Sequence, residues 1–404
     1  MLKTLKNQIR EQVLLQMDMS STKTDEEVQE LIDACILEAD KSCHISYGDK
    51  RRLVKEIFYA IRRLDFLQEL IEDRAVTEIM VNGPDSIFVE REGALYKLDQ
   101  QFESAEKLQD VVQQIVASCN RVVNEASPIV DARLENGSRV NIVLPPVALN
   151  GPIITIRRFP DQPIGMEELI RLGSLNAEAA AFLKKLVVAG YNLFISGGTG
   201  SGKTTFLNAL SQYIPKEERI ITIEDSAELQ IRSVDNLVRL ETRNANTEGG
   251  HEITIRDLIR TSLRMRPDRI VIGEVRGSEA VDLLQALNTG HDGSLSTGHG
   301  NSARDMLYRL ETMVLMGMEL PLGAIRGQIA SGLDVIIHLG RLRDRSRRVL
   351  EIVEILGYEE NRIQTQTLYQ FEETGEDKNG RIEGVLVKKE ELSRRQKLQA
   401  AGLS

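Results

Sequence analysis

No stretch of this sequence approaches the roughly 18 consecutive apolar residues that a membrane-spanning helix needs, so the chain is not expected to anchor itself in a bilayer. The N-terminus, MLKTLKNQIREQVLLQMDMS, carries charges throughout and lacks the uninterrupted apolar segment of a signal peptide. A protein that stays in the cytoplasm is expected. Cysteine is scarce: Cys35, Cys43 and Cys119 form no C-x-x-C pair and leave an odd count, which fits small buried thiols better than a disulfide framework or a zinc ribbon. Basic residues are not in excess either. With 51 Lys and Arg against 61 Asp and Glu, the net charge of −10 offers no basic face for wrapping nucleic acid, so no such partner is expected. Internal repeats and long low-complexity segments are also missing. The densest basic run, RLRDRSRR at 341–348, reads as a solvated turn or as a patch facing an acidic partner or a lipid surface.

What is present divides along the chain. At 404 residues, with 41% hydrophobic and 28% charged residues, the sequence describes a globular protein too long for one ordinary core, and roughly two to four domains are expected. Residues 1–65 show apolar positions at helical spacing (VQELIDACILEA, LVKEIFYAIRRL) and predict a helical module. From 66 to 158 the texture changes to a mixed α/β domain, in which the β-type runs IMV and IFVE flank the turn signal NGPDS. A linker, rich in proline at its start, is placed at 159–174. Residues 175–356 alternate helical and strand-like segments, which predicts a mostly parallel sheet covered by helices. The remainder, 357–404, reads as a last strand followed by a charged, glycine-containing stretch and a loosely held polar tail.

The chemistry concentrates in ISGGTGSGKTTF, residues 195–206, where Gly197-x4-Gly202-Lys203-Thr204 follows the strand-like NLFIS and precedes a helix. This is the P-loop pattern in its proper setting. Glycines let successive N–H groups turn inward around phosphate oxygens, and the helix N-terminus adds its positive end. Lys203 would reach the β- and γ-phosphates of a nucleoside triphosphate, and the Thr204 hydroxyl would ligate Mg²⁺. Hydrolysis also needs an acidic group at a strand end. Two segments offer one: RIVIGEVRG with Glu274, and ITIEDSAE with Glu224 and Asp225. Two of the five histidines, His291 and His299, fall in the Gly- and Ser-rich stretch GHDGSLSTGHGNS. A metal site, a catalytic base, a sensor and a plain loop-tying role are all open for them, although two histidines alone are an incomplete set for zinc.

Taken in order, GGTGSGKTT, TIEDSAEL, LRMRPDRIVIGEVRG and TGHDGSLSTGHGNSARDMLYRLETM resemble the P-loop, Asp box, Walker B segment and His box of the type II/IV secretion ATPases. The closest resemblance is to the CpaF-type ATPases of tight-adherence pili. Upstream, VDARLENGSRVNIVLPP and GPIITIRRF resemble motifs of the N-terminal domain of the same family, so the likeness spans about residues 66–356. It implies a RecA-like motor domain, joined to the mixed α/β domain, that hydrolyses ATP with Mg²⁺. It also implies homo-hexameric rings, peripheral at the inner face of the cell membrane, that work on an inner-membrane platform protein during pilus assembly or secretion.

Residue by residue, the resemblance implies a phosphate cradle of Gly197, Gly198, Thr199, Gly200, Ser201, Gly202, Lys203, Thr204 and Thr205, with Thr204 and Glu274 serving Mg²⁺, directly or through water. Glu274 would activate water or order the metal, and Glu224 would support it. Arg139 and Arg157 would reach the terminal phosphates from the N-terminal domain, where planar guanidinium forks suit phosphate oxygens. Neighbouring Arg158 is left between that role and a surface salt bridge. His291 and His299 would sense or position the nucleotide, and Gly298 and Gly300 beside His299 predict a mobile loop. Three unpaired cysteines cannot build the four-cysteine zinc module of many pilus-extension relatives. Two rival readings remain: a RecA-like nucleic-acid translocase, and a nucleotide-binding regulatory protein without motor function.

Overall fold

The computed structural model describes residues 2–17, 23–91, 93–119, 121–159, 163–243 and 251–403. They belong to two units, Met1–Asp161 and Gln162–Ser404.

The first unit opens with three helices, α1 (Leu2–Gln16), α2 (Asp25–Cys43) and α3 (Tyr47–Arg62). Thr24 and Glu27 form a capping box at the start of α2, and Ser46 caps α3. Apolar residues at three- and four-residue spacing, among them Ile9, Val13, Val28, Ile32, Leu53 and Ile57, meet in a core of their own. A short α4 (Leu67–Glu72), absent from the sequence expectation, then leads into β1 (Val76–Asn82), β2 (Ile87–Arg91), β3 (Ala94–Lys97), α5 (Ala105–Ser118), β4 (Ile129–Arg133), β5 (Arg139–Val143) and β6 (Ile153–Arg157). The strands form an antiparallel sheet ordered β3-β2-β1-β6-β5-β4. Alternate residues such as Ile79, Val81, Val140, Ile142, Ile154 and Ile156 pack against Leu70, Leu108, Val112 and Ile115 of the two helices.

The second unit begins with α6 (Met166–Arg171), inside the stretch expected to be a linker. Met166 and Leu169 are buried in this unit's core, so apolar burial overrides the local proline and glycine signal. There follow α7 (Ala177–Val188), β7 (Leu193–Gly197), α8 (Lys203–Ser211), β8 (Ile220–Glu224), β9 (Leu237–Glu241), α9 (Ile255–Ser262), β10 (Arg269–Ile272), α10 (Ala280–Leu287), β11 (Leu295–His299), α11 (Ala303–Gly317), α12 (Leu322–Gly332), β12 (Val335–Arg341), β13 (Arg347–Glu359), β14 (Arg362–Glu376), β15 (Ile382–Lys388) and α13 (Gln396–Ala400). The sheet order is β15-β14-β13-β12-β7-β11-β10-β8-β9. From β12 to β9 every neighbouring pair is parallel, and from β12 outward to β15 every pair is antiparallel.

The parallel strands are covered on both faces: Leu193, Ile195, Ile337 and Val271 enter one core, while Phe194, Ile336, Ile270 and Ile272 enter the other. Strand β7 lies between β11 and β12, neither of which is the next strand in sequence, so a crevice opens outside its C-terminal end. The P-loop stands there.

The C-terminal region is more ordered than its composition suggests. The charged stretch from Glu373 to Gly384 is the end of the β14–β15 hairpin, and the tail beyond it is pinned to buried carboxylates. Glu354 accepts from the backbone N–H of Ser393 at 2.9 Å and of Arg394 at 2.7 Å. Lys397 bonds Asp334 at 2.8 Å, Asp292 at 2.6 Å and the carbonyl of Gly190 at 3.1 Å. Buried charge demands such partners, and here the tail supplies them.

Candidate active site

Strand β7 is wholly buried and delivers the chain to the ligand edge, where Gly198, Thr199 and Gly200 emerge exposed. The loop needs its glycines: a side chain on Gly197 would start 2.6 Å from the carbonyl of Leu339, and Gly202, which caps α8, has φ of 93°. Ser201 ties the loop together by donating its hydroxyl to the Gly198 carbonyl at 2.9 Å. Thr204 and Thr205 occupy the first turn of α8, half-buried behind the loop.

Lys203 is buried at the head of α8 and its ammonium folds back on the loop, donating to the carbonyls of Gly197 at 3.2 Å and Gly198 at 3.0 Å. Burial holds its pKa below the ordinary lysine value, and the Glu274 charge partly offsets this. The third partner of Lys203 is His299 Nδ1 at 3.3 Å. An ammonium can only donate, so Nδ1 is the acceptor and the imidazole is neutral; its Nε2 lies 2.7 Å from Glu274 Oε1, a buried oxygen with no aligned hydrogen-bond donor among the described residues. Burial keeps the histidine below its usual pKa, against the pull of Glu274 and with the help of Lys203. Beyond it, Arg276 Nε donates to Glu274 Oε2 at 2.7 Å and its Nη1 lies 3.4 Å from Asp225. Lys203, His299, Glu274, Arg276 and Asp225 thus form one chain of polar contacts across the ends of four strands.

Glu224 ends β8 beside this chain. One oxygen accepts from the backbone N–H groups of Glu228 at 2.6 Å and Leu229 at 2.8 Å, which shapes the Asp-box loop. The other oxygen is buried with no partner among the described residues. Burial dominates, lifting the carboxyl to about 7 despite the two amides. Such an orphaned oxygen, with the Thr204 hydroxyl and the Glu274 carboxylate, is the all-oxygen donor chemistry that suits Mg²⁺ or its water shell.

The two histidines part company. Strand β11 runs parallel to β7 with Leu295 opposite Leu193 and His299 opposite Gly197, so His299 is level with the P-loop. His291 precedes the strand and stands at the opposite edge of the sheet, where its Nδ1 donates to the carbonyl of Ala286 at 3.1 Å at the end of α10. The expectation of a nucleotide-sensing role for His291 is therefore corrected: it ties down a helix end, because a strand separates it from the phosphate crevice. The mobile loop expected around His299 is corrected as well. Gly298 lies within β11, and a side chain there would start 2.9 Å from the ring of Phe194, so close packing sets this glycine.

In the first unit, Arg139 on β5 and Arg157 on β6 are paired across the ladder, with Arg133 of β4 opposite Arg139. Three guanidinium-bearing positions therefore lie in one row. Arg133 is absent from the sequence expectation; the three-residue turn Glu135–Asn136–Gly137 between β4 and β5, with Gly137 at φ of 86°, sets the register that puts it opposite Arg139. Arg158 is not part of this row. It donates to the carbonyls of Asp73 and Val76, the latter at 3.1 Å, which fixes it as a bond within the domain.

The profile of the "Type II/IV secretion system protein" family matches residues 62–400. The chain belongs to the type II/IV secretion ATPase family. A putative conjugal transfer protein of Mycobacterium tuberculosis is 37% identical over 309 residues, 75% of this chain and 87% of that protein. The type IV secretion system protein PtlH of Bordetella pertussis is 33% identical over 316 residues, 72% of this chain and 93% of its own length. Among solved structures, the pilus retraction motor PilT with bound ADP superposes at a TM-score of 0.53 over 84% of this chain and 86% of its own, at 19% identity. The ATPase DotB of Legionella pneumophila superposes at 0.52 over 73% and 80%, at 21% identity. Both likenesses are of fold, and they agree with a RecA-like motor domain preceded by a mixed α/β domain. As a member of this ATPase family, the chain hydrolyses ATP.

Proposed function

We propose that this secretion ATPase is the motor of a pilus-assembly or export machine of the tight-adherence type, working as a ring of six copies on an inner-membrane platform protein. Among the described residues no helix is long and apolar enough to cross a membrane, so force on a membrane machine has to pass through such a partner. The observation that carries the catalytic part is the contact chain Lys203–His299–Glu274. Lys203 donates to the loop carbonyls of Gly197 and Gly198 and to His299. When it turns to phosphate oxygens, His299 loses its donor and is free to reorient Glu274. Nucleotide occupancy is thereby read by the carboxylate that orders the attacking water, which is a differential-contact basis for a switch.

Glu274 and Glu224 hold the water, Thr204 with Glu274 suits Mg²⁺, and the metal when bound would neutralise charge on the phosphates. Arg139 and Arg157, paired across β5 and β6, would supply planar cations suited to a terminal phosphate.

Sedimentation of the purified protein with a non-hydrolysable ATP analogue, together with ATP turnover in the presence and absence of membranes holding the platform, tests this reading. A six-copy mass and platform-stimulated turnover are expected. A monomer at all concentrations refutes the ring. Stimulation by DNA or RNA instead of the platform moves the assignment to a nucleic-acid translocase, and folded protein without any turnover moves it to a regulatory module.

A further inference from the structure

The basic run at 341–348 is not a free-standing turn. Strand β12 pairs with β7 as far as Leu339 opposite Gly197, then continues for Gly340 and Arg341 past the point where β7 gives way to the P-loop. The β12–β13 hairpin therefore rises beside the loop. Arg347, the first residue of β13, donates Nε to the carbonyl of Gly200 at 2.9 Å. Its Cδ lies 3.4 Å from where a side chain on Gly202 would begin, and Arg341 Nη1 lies 3.8 Å from the equivalent point on Gly200.

The other arginines of the run are disposed differently. Arg343 is held by Glu373 and Glu376, and Arg348 by the carbonyl of Ile382 and the ring of Phe371. Arg345 sits at the turn itself, with φ of 67°. Arg341 and Arg347 have no carboxylate partner among the described residues. Two permanent cations thus lie together at the exposed apex of a phosphate-gathering loop in a chain whose net charge is −10. Mutual repulsion of this kind is relieved by an anion held between them.

Their side of the loop matters. Strand β7 has β11 on one flank and β12 on the other. His299 and Glu274 stand on the β11 flank, with the water-activating chemistry, and the two arginines stand on the β12 flank. We infer that Arg341 and Arg347 belong to the nucleotide site and take phosphate oxygens that ADP and ATP share, on the side of the P-loop away from the scissile bond. This rests on the P-loop being the nucleotide site.

The test is titration of fluorescently labelled ADP and ATP against the full-length protein, comparing the wild type with Arg341→Ala and, as a control from the same turn, Arg345→Ala. Loss of one charge-assisted hydrogen bond is expected to weaken both nucleotides about tenfold in Arg341→Ala. Arg345→Ala should bind as the wild type does, and the nucleotide-free melting temperature of Arg341→Ala should be unchanged. Wild-type affinity in Arg341→Ala overturns the inference, as does a loss confined to ATP, which would place Arg341 at the terminal phosphate. A wild-type protein that binds neither nucleotide overturns the P-loop reading itself.

Discussion

Replacing Glu224 by Gln should stabilise the protein at alkaline pH while abolishing its catalytic use. The carboxyl is buried at the end of β8, with one oxygen on two backbone amides and the other without a partner among the described residues. Burial raises it from 4.5 to about 7. The folded protein therefore holds this proton longer than the unfolded chain does. Its contribution to stability is fully present below about 4.5 and is lost as pH rises through about 7. At about 1.4 kcal/mol for each tenfold change in proton affinity, the loss totals about 3 kcal/mol.

Glutamine has the same shape, keeps an oxygen for the two amides and carries no charge to desolvate, so it should avoid that loss. Thermal unfolding without nucleotide at pH 5 and pH 8 makes the comparison. At pH 8 the Glu224→Gln protein should melt about 6–12 °C above the wild type, given roughly 2–4 °C per kcal/mol for a domain of this size, and the gap should nearly close at pH 5. Subtracting the two proteins at each pH cancels the histidines, which titrate in the same window. A gap that does not change with pH, or a variant less stable at pH 8, refutes the buried-carboxyl account.

Three further outcomes test the site. Lys203→Ala should lower ATP turnover at least a hundredfold in a folded protein, because the ammonium that meets the phosphates is gone; near-normal hydrolysis contradicts the assignment. Glu274→Gln should retain nucleotide affinity while turnover falls by about 10²–10⁴, the range of a lost acid–base or water-ordering group; a parallel loss of affinity gives the carboxylate a binding role instead. Arg139→Ala and Arg157→Ala should each cut turnover about ten- to a hundredfold and leave ADP affinity nearly intact, since ADP lacks the contacted phosphate. Equal losses for ATP and ADP would mean that these arginines support the sheet.

The sequence by itself determined the parts that depend on neighbours along the chain. Gly197 to Thr204 could be read as a P-loop because the strand before it, the glycines and the helix after it are consecutive, and backbone angles and the helix terminus are local properties. The same holds for the strand ends at Glu224 and Glu274, for the run of helices in the first 62 residues and for most strands of the parallel sheet. Only the tertiary structure decided what depends on which strand lies beside which. His291 and His299 are near in sequence, yet a strand of five residues, roughly 16 Å long at about 3.3 Å per residue, separates them. Lys203 meets His299 because β11 is inserted next to β7 from about a hundred residues downstream. Arg341 and Arg347 reach the P-loop because β12 occupies the other flank, and the C-terminal tail is held because Glu354 and Asp334 are buried and need donors. Hydrophobic periodicity reports which face of an element is covered but not by which partner, since burial of apolar area is non-directional. Hydrogen bonds and ion pairs between distant elements follow from the strand order, and that order is a property of the whole fold.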